Sequence, residues 1–415
     1  MGAGSLTASP SEPAHRTPPL RAAIDARGEA PWRIVGGIPL VTRLVRSLEL
    51  EGVSEIAVAC DAPRPIPGFG ARRSETRVRC AVLAPAEPFA SALGTGEDLV
   101  LAADGALVAD RRLLRAVLAS EGPCLVPPPP GEATVVLARI TRRDAERFGA
   151  PLAPGDPFPR VLPERLPTFS DEMRGETPIL YRSARTQDAA RAAARALVLA
   201  TQKHVMDAPA RWIDPPIENA IVARLAPTRV TPNQVTIACT LLGFVAAWLL
   251  WHGIFALALP LMYGVGWLDG VDGKLARLRL HYSPLGAGES YFDFAYENAW
   301  WIALAAYLSA AGHTDAVAWG AALVGGNLLD EIAYTLGHAR LGVALDLLSP
   351  ADGAFRLVAG RRNIYAAMLL VATLAGSPYG GLVAMGAWAV VTGVAHALRL
   401  VVALRAPAAR NGLHA

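Results

Sequence analysis

The chain has 415 residues, of which 53% are hydrophobic and 18% charged, and its mean hydropathy is +0.31. That balance excludes an ordinary soluble enzyme of this size and points to a partly membrane-embedded protein of two or three units. A net charge of +3 without a long basic block gives no footing for nucleic-acid binding. Cys60, Cys80, Cys124 and Cys239 lack paired spacing, which argues against a disulfide framework or zinc site and for a reducing, cytoplasmic setting.

The first 20 residues are small and polar rather than basic then apolar, so no signal peptide is read there and the N-terminus is expected in the cytoplasm. From residue 19 to 140, short β-rich runs alternate with helical stretches. Strands are expected at 21–25, 55–61, 77–83, 98–103 and 134–140, and helices at 39–52 and 111–120. Such alternation predicts an open α/β sheet. Proline-rich loops follow at 127–130 and 158–169, and the alanine-rich stretch 186–206, free of glycine and proline, predicts a connecting helix.

After Val235 the character changes. Apolar segments at 235–251, 255–268, 294–311, 316–337, 364–375 and 380–404 predict six membrane spans, several reaching the ~17–25 residues a bilayer requires. The loops at 252–253, 312–315 and 376–379 hold no Lys or Arg. Those on the other side carry Lys274, Arg277 and Arg279, then Arg340, Arg356, Arg361 and Arg362, then Arg405 and Arg410. This asymmetry places both termini and the second loop in the cytoplasm, as an integral protein of the cell's inner membrane. Residues 216–225 put Ile217, Ile221, Val222 and Leu225 on one helical face, either lying in the membrane interface or packed as a surface helix.

At the end of the second span Asp269 and Asp272 are three residues apart, so they share a helix face. Two carboxylates side by side at the edge of hydrocarbon repel unless a cation joins them, and a hard divalent ion is the natural partner. Asp293 and Glu297, four apart at the start of the third span, add a second pair across a loop containing Pro284, Gly286 and Gly288. Four carboxylates converging on one point suit Mg²⁺ or Mn²⁺ ions holding a diphosphate. Gly273 and Ala276 lack bulk and would let a nucleotide approach the backbone, while Arg277 balances its charge. The bland alternative is a set of solvated helix-end charges.

The pattern Asp269, Asp272, Gly273, Ala276, Arg277, Gly286, Asp293 and Glu297, with Thr231 to Thr236 ahead of the first span, resembles the CDP-alcohol phosphotransferase (phosphatidyltransferase) family over roughly residues 203–404. The resemblance implies a six-helix membrane core, usually homodimeric, that moves a phospho-alcohol from a CDP-alcohol to a hydroxyl acceptor and releases CMP. It implies that Asp269, Asp272 and Asp293 bind metal with Glu297 completing the carboxylates, that Gly273, Ala276 and Arg277 lie at the cytidine diphosphate, and that Glu297 activates the acceptor. Two departures stand out. Six residues separate Gly286 from Asp293 where the family has three, so either three are inserted or Glu289 takes the glycine position, and the fourth acid is Glu rather than Asp. Arg361 and Arg362, with Arg399, are candidates for an acceptor phosphate or are positive-inside anchors; Asn327, Asp330 and Glu331 either shape the acceptor pocket or bond between helices. His396 and the Trp300–Trp301 pair read as packing residues.

In the N-terminal part, Gly36 to Leu40, residues 52–58 and residues 99–104 resemble a sugar-nucleotidyltransferase. Its pairing with the membrane core resembles the bifunctional inositol-phosphate cytidylyltransferase and di-inositol-phosphate-phosphate synthase proteins. The glycine-rich phosphate loop is missing, since Asp25 is followed by Ala26, Arg27, Gly28 and Glu29, so the domain is read as degenerate, serving stability, dimerisation or regulation. The expected organisation is an α/β nucleotidyltransferase-like domain over 1–185, a connector over 186–228, and an all-α six-helix transmembrane domain over 229–415. Alternatives are a bifunctional enzyme that also forms its CDP-alcohol from CTP, or a non-catalytic lipid-binding or transport protein.

Overall fold

The computed structural model describes residues 20–67, 76–84, 86–94 and 97–405. Both chain termini and Arg410 lie outside these residues. The N-terminal part is built on strands β1 (Arg21–Asp25), β2 (Glu55–Cys60), β3 (Arg77–Val82), β4 (Val100–Asp104), β5 (Cys124–Leu125) and β6 (Leu137–Ile140). They form one six-stranded sheet in the order β3-β2-β1-β4-β6-β5, parallel from β3 to β4 and antiparallel beyond. Helices α1 (Leu40–Leu50) and α2 (Arg111–Leu118) bury Leu44, Leu48, Leu113 and Val117 against Ile24, Val58 and Leu101 on one face. On the opposite face Phe89 and Phe148 stack with ring centres 4.7 Å apart over Ala23, Ala57 and Ala102. With both faces covered, the central strands read as unbroken apolar runs, the habit of a parallel sheet.

The connecting helix α3 (Gln187–Leu199) is shorter than the expected 186–206. The Thr201 hydroxyl caps its end on the Val198 carbonyl at 2.6 Å, and the His204 amide pairs with the Met173 carbonyl at 2.9 Å, so tertiary contacts turn the chain where local propensity favours more helix. Helix α4 (Asp214–Leu225) buries Val222 against Val271, Leu275 and Leu278, which makes it a packed helix with Ile217, Ile221 and Leu225 only half covered.

Six apolar helices follow: α5 (Pro232–Trp251), α6 (Phe255–Arg279), α7 (Glu289–Ala310), α8 (Ala316–Leu341), the shorter α9 (Arg362–Leu374) and α10 (Pro378–Arg405). They fall at the six expected apolar segments, and α5 and α10 are long and apolar enough to cross a bilayer. Thr231 starts α5 with a capping box to Gln234 behind Pro232, which explains the lead-in sequence in backbone terms. The indole of Trp300 donates to the Gly243 carbonyl at 2.6 Å, and a side chain on Gly243 would run into the Tyr296 ring, so α5 and α7 pack backbone to ring. Trp300 and Trp301 are fully buried and fill the bundle. Outward faces carry Leu241, Phe244, Trp248, Val371, Leu374, Val391, Leu398 and Val402, an apolar surface of the kind lipid covers. At one end of the bundle Tyr379 donates to Asp315 at 2.5 Å and stacks on His313, while Gly253 lies against Tyr307. Asp269, Asp272, Asp293 and Glu297 lie at the other end.

Candidate active site

Helix α6 runs past the expected end of its apolar stretch to Arg279 and stops where Leu280 adopts a left-handed conformation. Asp269 and Asp272 therefore sit inside its last turns rather than in a loop. A one-turn helix (Pro284–Ala287), capped by Ser283, reverses the chain into α7. The Ser283 hydroxyl also donates to Asn233 at 2.6 Å and ties the reversal to the start of α5. Along α7, Glu289, Asp293 and Glu297 recur every four residues and form one stripe.

Where the two helices meet, carboxylate oxygens of Asp269, Asp272 and Glu289 all lie within 4.8 Å of one another. Asp293, one turn along α7 from Glu289, lies close enough to Asp269 for their charges to interact. Asp272, almost fully buried, accepts from the Thr236 hydroxyl of α5 at 2.6 Å. At the first residue of α9, Arg362 reaches Asp269 at 2.5 Å, Glu297 at 3.1 Å and the Tyr296 hydroxyl at 2.7 Å. The sequence reading assigned Asp269, Asp272, Asp293 and Glu297 to the metal; the three-oxygen cluster contains the first two with Glu289, while Asp293 borders it and Glu297 lies across Arg362. Glu289 stood in the sequence only as an occupant of the family's glycine position. The four-residue period it shares with Asp293 and Glu297 was the signal that could have found it. An all-oxygen, carboxylate-rich donor set fits a hard divalent cation.

Lys203, from the chain after α3, is a further group that sequence reasoning left in the connector. Burial, with Arg277 and Arg174 nearby, pushes its ammonium pKa down to about 8 against the pull of Asp269 and Glu289. Beside the carboxylates opens a pocket of about 220 Å³ bounded by Gly273, Ala276, Arg277 and Asn233. Arg277 is held there by its Nε, which donates to the Thr201 carbonyl at 3.2 Å. The three residues expected at the nucleotide thus share one wall.

Behind α6, Lys274 is buried and paired with Glu218 of α4 at 2.8 Å and with Asn219 at 2.8 Å. A side chain on Gly270 would strike the Glu218 carboxylate, so glycine between the two aspartates lets α4 pack against the back of the acidic turn. An unpartnered charge at such a place costs about 3–5 kcal/mol, which fixes the register of the two helices. Arg361 is 3.2 Å from Asp330, which also bonds His396, and it covers the Tyr334 ring; Arg399 grips Asp352 with two bonds of 2.8 Å. Arg361 and Arg362 therefore flank the acidic end, whereas Arg399 is engaged elsewhere.

The N-terminal sheet has its own crevice, of about 490 Å³, where Asp25 and Asp104 are register partners at the ends of β1 and β4. Strand order reverses there, the usual ligand position of such sheets. Arg27 holds Asp25 at 2.7 Å and Arg185 covers Asp104. Burial raises the Asp104 pKa against the opposing Arg185 charge.

Residues 229–325, in the helical part of the chain, match the family model for CDP-alcohol phosphatidyltransferase. Over 183 residues the chain is 34% identical to a Rubrobacter xylanophilus protein named bifunctional IPC transferase and DIPP synthase, a stretch that covers 44% of this chain and 38% of that relative. The match to that family model and the two long apolar helices together point to membrane association.

Proposed function

We propose that the protein is a metal-dependent, integral membrane CDP-alcohol phosphotransferase that moves a phospho-alcohol from its donor to a hydroxyl acceptor and releases CMP, in phospholipid or inositol-phosphodiester synthesis. The observation that carries this reading is the meeting of acidic residues from α6 and α7 beside a pocket walled by Gly273, Ala276 and Arg277. Asp269, Asp272, Glu289 and Asp293 would hold Mg²⁺ or Mn²⁺, whose charge neutralises the donor diphosphate. Gly273 and Ala276 leave room for the nucleotide, and Arg277 balances its phosphates. Glu297 takes the proton of the acceptor hydroxyl; the acceptor oxygen bonds to the phosphorus that bears the alcohol, and the bond from that phosphorus to CMP breaks, the electron pair leaving with CMP. Arg361 and Arg362, on the Glu297 side, are placed to bind a phosphate on the acceptor.

All six apolar helices are taken as spans, with the acidic end and both termini in the cytoplasm, and the enzyme as a homodimer in the inner membrane. In intact cells a cysteine at exposed Ser377 should react with an impermeant thiol reagent, and one at exposed Val358 should not. The reverse labelling would overturn the orientation.

The activity is tested by offering purified protein a panel of CDP-alcohols and acceptors, with and without Mg²⁺. Mg²⁺-dependent CMP release with a new phosphodiester is expected, and no release from any donor would overturn the reading. The bifunctional name of the relative favours a second reading, in which the N-terminal crevice makes the CDP-alcohol from CTP. The short loop after β1 speaks against it, and formation of CDP-alcohol from CTP and a phospho-alcohol would establish it.

A further inference from the structure

The pocket beside Gly273 is not closed by the helical bundle alone. Its outer wall includes Tyr282 and Glu172, and Glu172 belongs to the N-terminal part. It sits in the turn between the two-residue strands Phe169–Ser170 and Gly175–Glu176, which pair antiparallel. Three contacts hold this turn over the bundle. The Tyr282 hydroxyl donates to Glu172 Oε1 at 3.3 Å, the Met173 carbonyl accepts from the His204 amide at 2.9 Å, and Arg174 reaches within 3.6 Å of Asp346. Arg174 itself has a φ of 52°, so the turn adopts a left-handed bend that brings residue 172 to the pocket.

We propose that Glu172 reads the base of the donor nucleotide, its carboxylate accepting a hydrogen bond from the exocyclic amino group of cytosine, so that the N-terminal domain supplies a specificity residue to the transfer site. The inference rests on the transferase reading above and adds the residue that chooses the nucleotide. The diphosphate must lie at Asp269, Asp272 and Glu289, and the nucleoside then extends along Gly273 and Ala276 towards the opposite wall. There Asn233 is bonded to Ser283, and Tyr282 is bonded to Glu172 through Oε1, so that the second oxygen of this pocket-lining carboxylate can accept from the base. Cytosine and uracil differ at this edge: cytosine presents an amino donor and uracil a carbonyl acceptor. An ionised carboxylate only accepts, so it bonds the first and repels the second.

The test is equilibrium binding of CDP and of UDP to the full-length protein in Mg²⁺. Wild type is expected to bind CDP at least about tenfold more tightly. Glu172→Gln keeps the size but adds a donor, and the ratio of the two dissociation constants should fall by about 10–100-fold, the range of a charged hydrogen bond. Glu172→Asp should restore part of the ratio, and Tyr282→Phe, which frees the carboxylate without removing it, should preserve it. A purely structural role for Glu172 would weaken both nucleotides alike, and that result overturns the proposal. If wild type prefers CDP and Glu172→Gln keeps the preference, this inference alone fails. If wild type binds neither nucleotide, the donor-site reading fails and the inference falls with it.

Discussion

Glu297→Gln is expected to lower turnover by about 10²–10⁴-fold, the usual worth of general-base help to a hydroxyl nucleophile, while CDP-alcohol binding survives. The geometry separates the two effects. Glu297 lies outside the three-oxygen cluster and meets it through Arg362, which it contacts at 3.1 Å. Gln preserves the length and can still accept from that guanidinium, but it cannot take a proton. Single-turnover rates set beside donor binding would show a loss confined to the chemical step. Glu297→Asp, which restores the residue of the resembled family, draws the carboxylate back by one methylene and should retain partial activity. Near-normal turnover in Glu297→Gln would remove Glu297 from the role of base.

Asp272→Asn should act earlier, on donor binding. Asp272 is buried, it is held by Thr236 at 2.6 Å, and it faces Glu289 and Asp269. The amide can keep the threonine bond, so the fold should stand, but the cluster loses one of its negative charges. Mg²⁺-dependent binding of the donor should weaken by at least about 10–100-fold, the loss that follows removal of even an outer partner of a metal ligand. Half-saturation by Mg²⁺ should shift upward in proportion, and an unchanged Mg²⁺ dependence would exclude Asp272 from the metal site. The two substitutions thus predict opposite patterns: chemistry lost with binding kept, and binding lost first.

The central strands and the six apolar helices were legible because each follows a local rule. Strands β1, β2 and β4 are apolar runs bounded by turn residues, and the start of α5 is written in Thr231, Pro232 and Gln234. The pair Asp269 and Asp272 was legible because residues three apart on a helix must share a face. Element ends were less so: α3 stops at Leu199, where the His204 amide pairs with the distant Met173 carbonyl, and α6 continues to Arg279, where Leu280 turns left-handed.

What the sequence determined by itself is the division into an α/β part and a helical part, the acidic turn of α6, and the small residues beside it. These depend on spacing within one segment. The tertiary structure alone decided which distant groups join them: Lys203 from the connector, Arg362 bridging Asp269 and Glu297, and Glu172 brought from the N-terminal part. Each of these depends on the angle at which two segments meet. Local periodicity does not encode that angle, because it is set by the packing of side chains such as Lys274 against Glu218 and by the glycines that permit close approach.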